Sequence, residues 1–155
     1  MLSITTETSV TGHDALFIDT GAFIALAHRD DRHHSQVAAF FSALGSGVRR
    51  LTTELVIAES YTWLRYKTGY LSAARFLDSV EGSVDEGYLH VHYPDSALDR
   101  RARQVLRRFR DQDLSYTDAV SLALLEDLPR NVAVFGFDHH FTLIGRTLVP
   151  EYVDG

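Results

Sequence analysis

Four carboxylates in this sequence stand where they could do chemistry together: Asp19, Glu59, Asp118 and Asp138. Asp19 ends the apolar run Ala15-Leu-Phe-Ile, and Asp138 ends the run Val132-Ala-Val-Phe-Gly-Phe. Both runs read as buried strands, and in open parallel sheets ligands gather outside the carboxyl ends of the strands. Glu59 sits within Leu55-Val-Ile-Ala-Glu-Ser-Tyr-Thr-Trp63, apolar company in which an unpartnered carboxylate is costly. At ~4 Å and an effective dielectric near 20, each pair of ionised carboxylates repels by about 4 kcal/mol. Acids gathered in one pocket therefore need shared protons or a cation. Oxygen ligands, in a chain without cysteine, favour Mg²⁺ or Mn²⁺ over zinc. Such an ion can polarise a phosphate and lower the pKa of water, which is the chemistry of phosphodiester hydrolysis.

Each acid also has a plainer reading. Asp19 and Asp138 can simply cap the helices that follow them, since Asp is a favoured N-cap. Ser115-x-x-Asp118 matches a capping box, although a cap and a ligand are not exclusive roles. Glu59 can lie on an exposed stripe with Arg65 or Lys67. Spacing alone does not choose between these readings.

The elements that must position the acids follow from apolar periodicity. A strand over 15–19 leads into a short helix over 21–28 and a second over 35–44. A weak strand over 50–52 is followed by Thr53, which can cap a long helix carrying Glu59 as far as Gly69. A helix over 71–80 and an alternating strand over 88–93 come next. Pro94-Asp95-Ser96 opens a helix to about Arg110, and Leu114-Ser-Tyr-Thr-Asp118 introduces another that ends before Pro129. A strong strand over 132–137 and an edge strand over 148–153 complete the pattern. Strands separated by helices imply right-handed crossovers and a parallel sheet covered on both faces.

The helix after Pro94 carries Arg100, Arg103, Arg107 and Arg110 on one stripe, with Leu98, Ala102, Val105, Leu106 and Phe109 opposite. That stripe suits RNA phosphates or an acidic partner segment, and equally suits a plain solvated face. Asp138-His139-His140 invites a zinc reading, but no His-Glu-x-x-His pattern or helical histidine pair appears. These histidines read as loop residues at the pocket rim, within reach of substrate. Tyr61, Trp63 and Tyr66 read as core or dimer contacts.

Taken in order, FIDTGAFIAL, LVIAES, LSYTDAVSLAL and VFGFDHHF resemble the PIN-domain family over about 16–141, most of the chain. Within that family the sequence is most similar to the VapC toxins of VapBC toxin–antitoxin pairs. The resemblance implies a three-layer α/β/α, Rossmann-like fold with a central parallel sheet of four to five strands. It implies a metal-dependent endoribonuclease acting on single-stranded RNA. Asp19, Glu59, Asp118 and Asp138 would be both the catalytic and the metal-binding set, for Mg²⁺ or Mn²⁺. Thr117 matches the hydroxyl residue before the third acid, and Thr20 follows the first; both would touch substrate, as would Arg100, Arg103 and Arg107. A small antitoxin protein and a homodimer are the implied partners. A silent PIN-like scaffold for RNA or protein and a non-toxin housekeeping nuclease are the alternatives.

Other classes fit less well. A haloacid-dehalogenase-type phosphatase needs a second Asp two residues after the first, where this chain has Gly21. The P-loop pattern GxxxxGK[ST] is absent, and the acidic pair and late lysine of a receiver domain are not supplied. With 155 residues, 45% apolar and 23% charged, the composition is that of one globular domain. The expected division is a polar N-terminal extension over 1–14 and a single nuclease domain over 15–155. The net charge of −6 argues against a nonspecific nucleic-acid coat, so any RNA contact must be local. No apolar run reaches the roughly 20 residues needed to span a bilayer. The N-terminus lacks the basic start and apolar core of a signal peptide. With no cysteine, a cytoplasmic setting without membrane attachment is expected.

Overall fold

A computed structural model describes residues 14–151. Most of the expected N-terminal extension lies outside them. Asp14 is already tied to the fold: its carbonyl accepts the Arg49 N–H at 3.0 Å and its carboxylate accepts the Asn131 side-chain amide at 2.7 Å.

The apolar runs become β1 (Ala15–Ile18) and β4 (Val132–Phe135), both buried along their whole length. Having no polar positions, they take the middle of the sheet, where both faces are covered. β2 (Arg49–Thr53), β3 (Leu89–His92) and β5 (Leu148–Val149) complete a five-stranded parallel sheet in the order β3-β2-β1-β4-β5. Helices α1 (Thr20–Ala27), α2 (His34–Ser42), α3 (Glu54–Thr68) and α4 (Tyr70–Asp85) connect β1 through β2 to β3. Helices α5 (Ser96–Arg108) and α6 (Tyr116–Glu126) lead back to β4. Because the sheet grows in opposite directions before and after that return, right-handed crossovers put the two helix groups on opposite faces. The result is the expected α/β/α sandwich. The direction reverses between β1 and β4, so a crevice opens there, above their carboxyl ends.

Local chemistry explains the boundaries. The Thr53 hydroxyl caps α3 by accepting the Val56 N–H at 3.2 Å, and Asp95 caps α5 by accepting the Leu98 N–H at 2.8 Å. Helix α4 runs past the expected end at Val80 to Asp85, stopping before Gly87 at φ 79°. The last strand is shorter than expected, because Pro150 offers no N–H to the ladder; the rest of its expected span, past 151, lies outside the described residues. A short 3-10 helix over His139–Ile144, which the periodicity does not suggest, follows β4. No helix among the described residues is long and apolar enough to cross a membrane.

Arg146 is the one buried arginine among the described residues, 7% exposed. Its guanidinium donates to the carbonyls of Pro129 (2.6 Å), Val132 (3.1 Å), Leu128 (2.9 Å) and Leu125. It thereby closes the carboxyl end of α6 and fastens it to the start of β4, the two elements that lead to Asp118 and Asp138. Arg146→Ala leaves those carbonyls unpaired and is expected to destabilise the fold by about 3 kcal/mol. Urea unfolding monitored by circular dichroism would show it; a loss under about 0.5 kcal/mol, the scale of an ordinary surface substitution, would remove the clamp from the account.

Candidate metal centre

The crevice above β1 and β4 is where the first and last acids meet. The Thr52 hydroxyl donates to the Ile18 carbonyl at 2.8 Å, and the Asp19 N–H donates to the Phe135 carbonyl at 3.0 Å. The chain then leaves the sheet, and Asp19 stands before the first turn of α1, 6% exposed. On β4 the neighbouring position is Gly136, where a Cβ would come within 3.0 Å of the Asp19 Cβ. Glycine there lets the two strand ends close around the carboxylate.

The other three acids are each held by a donor. Asp118 closes a capping box: the Ser115 N–H donates to its Oδ2 at 3.0 Å, while its own N–H donates to the Ser115 hydroxyl at 3.0 Å. Asp138 caps the 3-10 helix by accepting the His140 N–H at 2.9 Å. Glu59 accepts from the Thr117 hydroxyl. The capping readings of Asp118 and Asp138 are therefore correct, and they coexist with convergence on one cavity. The buried-acid reading of Glu59 is not. Helix α3 turns Val56, Ser60 and Leu64 inward, which leaves Glu59 on the exposed side, at the cavity wall.

All four acids line a single cavity of about 560 Å³, together with Thr20, Gly21, Asp113, Leu114, Ser115 and Phe137. Among the described residues, no lysine or arginine lines it. Burial raises the Asp19 carboxyl to about 7; the Thr20 amide pulls it down, and the charges of Asp118, Asp138 and Glu59 push it further up. Partial desolvation raises Glu59 too, against the Thr117 hydroxyl, with Asp118 and Asp138 adding to the rise. Carboxylates in a cavity without cationic lining, two of them pushed toward protonation, form a donor set that a hard divalent ion fits. One oxygen each of Asp118 and Asp138 and one ring nitrogen of His140 lie within 4.8 Å of one another. Asp19 and Glu59 stand outside that tight group, coupled to it through charge.

Of the expected substrate contacts, Thr20 lines the cavity with its hydroxyl buried and unpartnered, while Thr117 is engaged by Glu59. Arg100, Arg103 and Arg107 do not line it. Arg103 is committed to Asp99 at 3.1 Å, and Asp99 also accepts the Tyr116 hydroxyl at 2.6 Å. Arg101 and Arg108 pair with Asp127 and Glu126 and hold α5 against α6. Arg100 and Arg107 remain exposed on the outer stripe, and Arg110 lies beyond the end of α5. Sequence reasoning does not single out Asp113, Phe137 or Gly136. The single motif VFGFDHHF contains the last two; Asp113 stands in a loop with no periodic signal.

A PIN domain model matches residues 16–146. A VapC ribonuclease from Archaeoglobus fulgidus is 36% identical over 137 residues, covering 85% of this chain and 83% of the relative. Among solved structures, the Mycobacterium tuberculosis VapC20 toxin, described as cleaving the sarcin-ricin loop, superposes with a TM-score of 0.72. It shares 20% identity and covers 85% of this chain and 96% of its own. FitAcB from Neisseria gonorrhoeae superposes at 0.56 with 13% identity, covering 86% of this chain and 95% of that one. The matched span holds all four acids and the crevice between β1 and β4: the chain belongs to the PIN-domain family.

Proposed function

We propose that this chain is a metal-dependent endoribonuclease that cleaves single-stranded RNA and serves as the toxin of a toxin–antitoxin pair. The observation that carries the reading is the convergence of four carboxylates on one cavity whose lining holds no cation. The kinship with a named VapC ribonuclease supplies the substrate class. Asp118 and Asp138, with Asp19 and Glu59, would hold Mg²⁺ or Mn²⁺. The bound ion supplies a Lewis acid for the scissile phosphate and lowers the pKa of water.

The chain's own contribution is pre-organisation. The amides of Ser115 and His140 and the Thr117 hydroxyl fix Asp118, Asp138 and Glu59 before substrate arrives, so little reorganisation is left for the reaction. The Thr20 hydroxyl, unpartnered at the cavity, is a donor for a phosphate oxygen. Arg100 and Arg107 would steer the RNA backbone from outside the cavity, a contact that weakens with salt. A homodimer in the cytoplasm, restrained by a small antitoxin, is the setting that the kinship suggests.

Purified protein incubated with a labelled single-stranded RNA is expected to cut it in Mn²⁺ or Mg²⁺, to stop in excess EDTA, and to resume when the metal is restored. Cleavage that continues undiminished in chelator would rule out the metal mechanism. Expression is expected to arrest growth, with relief from the small open reading frame beside the gene. Harmless expression would leave a housekeeping nuclease in place of the toxin.

A further inference from the structure

The turn after β4 does more than cap a helix. Asp138 Oδ1 accepts the His140 N–H at 2.9 Å, and the imidazole of the same residue lies beside the same oxygen, with Nδ1 2.9 Å away. Nδ1 is buried and makes no hydrogen bond. One oxygen each of Asp118 and Asp138 and one ring nitrogen of His140 form a group whose atoms all lie within 4.8 Å of one another. It is the only group of three such donors among the described residues. Neighbouring ligands bonded at ~2.1 Å to an octahedral ion stand about 3 Å apart, and opposite ones about 4.2 Å apart. The spacing between Asp138 Oδ1 and His140 Nδ1 is that of a neighbouring pair. His140 and Asp138 keep 25% and 30% side-chain exposure, so the pair lies at the wall of the site rather than in the core, with Nδ1 itself covered.

We propose that His140 is a ligand of the metal centre, adding a nitrogen to the oxygens of Asp118 and Asp138, and that it makes the centre select Mn²⁺ over Mg²⁺. This rests on the nuclease reading, which supplies the metal. Mg²⁺ demands oxygen ligands and gives up its water reluctantly, whereas a transition-metal ion accepts imidazole readily. Four carboxylates alone would offer little to tell the two ions apart; a buried imidazole nitrogen does. His139, exposed on the preceding position with its ring 6.5 Å from that of His140, is the natural control.

Titration calorimetry of the whole chain with MnCl₂ and with MgCl₂, together with pulsed EPR of the Mn²⁺ complex, tests the assignment. The wild type is expected to bind Mn²⁺ at least ~10-fold tighter than Mg²⁺ and to show the ¹⁴N coupling of a directly bound imidazole. His140→Ala is expected to abolish that coupling and weaken Mn²⁺ by about 10-fold, with less than about a two-fold change for Mg²⁺. His139→Ala is expected to change neither. The EPR spectrum of the wild type decides the matter even if a variant folds poorly. A Mn²⁺-loaded wild type that cleaves RNA but shows no ¹⁴N coupling removes His140 from the centre and leaves the nuclease standing. A wild type that binds neither ion and cuts no RNA removes both.

Discussion

Asp19→Asn is expected to lower RNA cleavage by about 10³-fold or more while leaving the fold intact. The substitution keeps the shape of a side chain that is 6% exposed and closely faced by Gly136, so no cavity or clash results. The Thr20 amide that points to the Asp19 carboxylate can equally donate to an amide oxygen. What disappears is the negative charge at the deepest point of the cavity, where desolvation makes its attraction for a cation strongest. Cleavage by the variant, measured with a chelator control against contaminating ribonucleases, should fall to background with an unchanged circular dichroism spectrum. Undiminished cleavage would sink the mechanism. Loss of activity together with loss of the spectrum would point to a structural role instead.

The second large effect concerns stability without metal. An unfolded chain releases the Asp19 proton near pH 4, whereas the folded chain keeps it until about 7. Between these values the native state binds the extra proton, so stability is greatest at the acid end and declines as pH rises through the window. The spread of about three pH units corresponds to a loss on the order of 4 kcal/mol at most. The raised Glu59 carboxyl acts in the same direction. Denaturant midpoints measured in EDTA should therefore fall from pH 5 to pH 8. Saturating Mn²⁺ at pH 8 should restore them, since a ligand that binds only the folded state stabilises it by mass action. Asp19→Asn should flatten the decline and, without metal at pH 8, be more stable than the wild type. A wild type and variant with parallel pH profiles would mean that Asp19 is not the group responsible.

These two expectations pull the same residue in opposite directions, toward activity and away from apo stability. A charge cluster that repels itself is tolerated where a bound ion offsets the repulsion, and strained electrostatics of this kind gather at functional sites. The Arg146 clamp is the structural counterpart. It fastens the far end of α6, while the capping box at Ser115 and Asp118 fixes the near end, so the helix that delivers an acid is held at both ends.

Much of this is legible in the sequence. The unbroken apolar runs of β1 and β4 declare central strands, because only a strand covered on both faces can dispense with polar positions. Asp19 and Asp138 are readable from ending those strands, Thr53 from capping α3, and the Ser115–Asp118 box from its spacing. Such features are encoded within a few residues of one another, so local chemistry determines them. What only the tertiary structure decided depends on elements far apart in the chain. Glu59 reads as buried from its apolar neighbours and is exposed, since the 100° step from one residue to the next carries the chain from the inner face at Ser60 to the outer side at Glu59. Arg100, Arg103, Arg107 and Arg110 read as one stripe, but Asp99 engages Arg103, while Arg101 and Arg108, off that stripe, pair with Asp127 and Glu126, pairings no periodicity reveals. His140 reads as a rim residue; the turn after β4 lays its ring beside Asp138, and the crevice between β1 and β4 sets both against Asp118. The sequence by itself determined on which elements the four acids ride. Packing decided how near they stand, which of them lose water, and which histidine joins them, because burial and distance are properties of the assembled sheet and helices rather than of any segment.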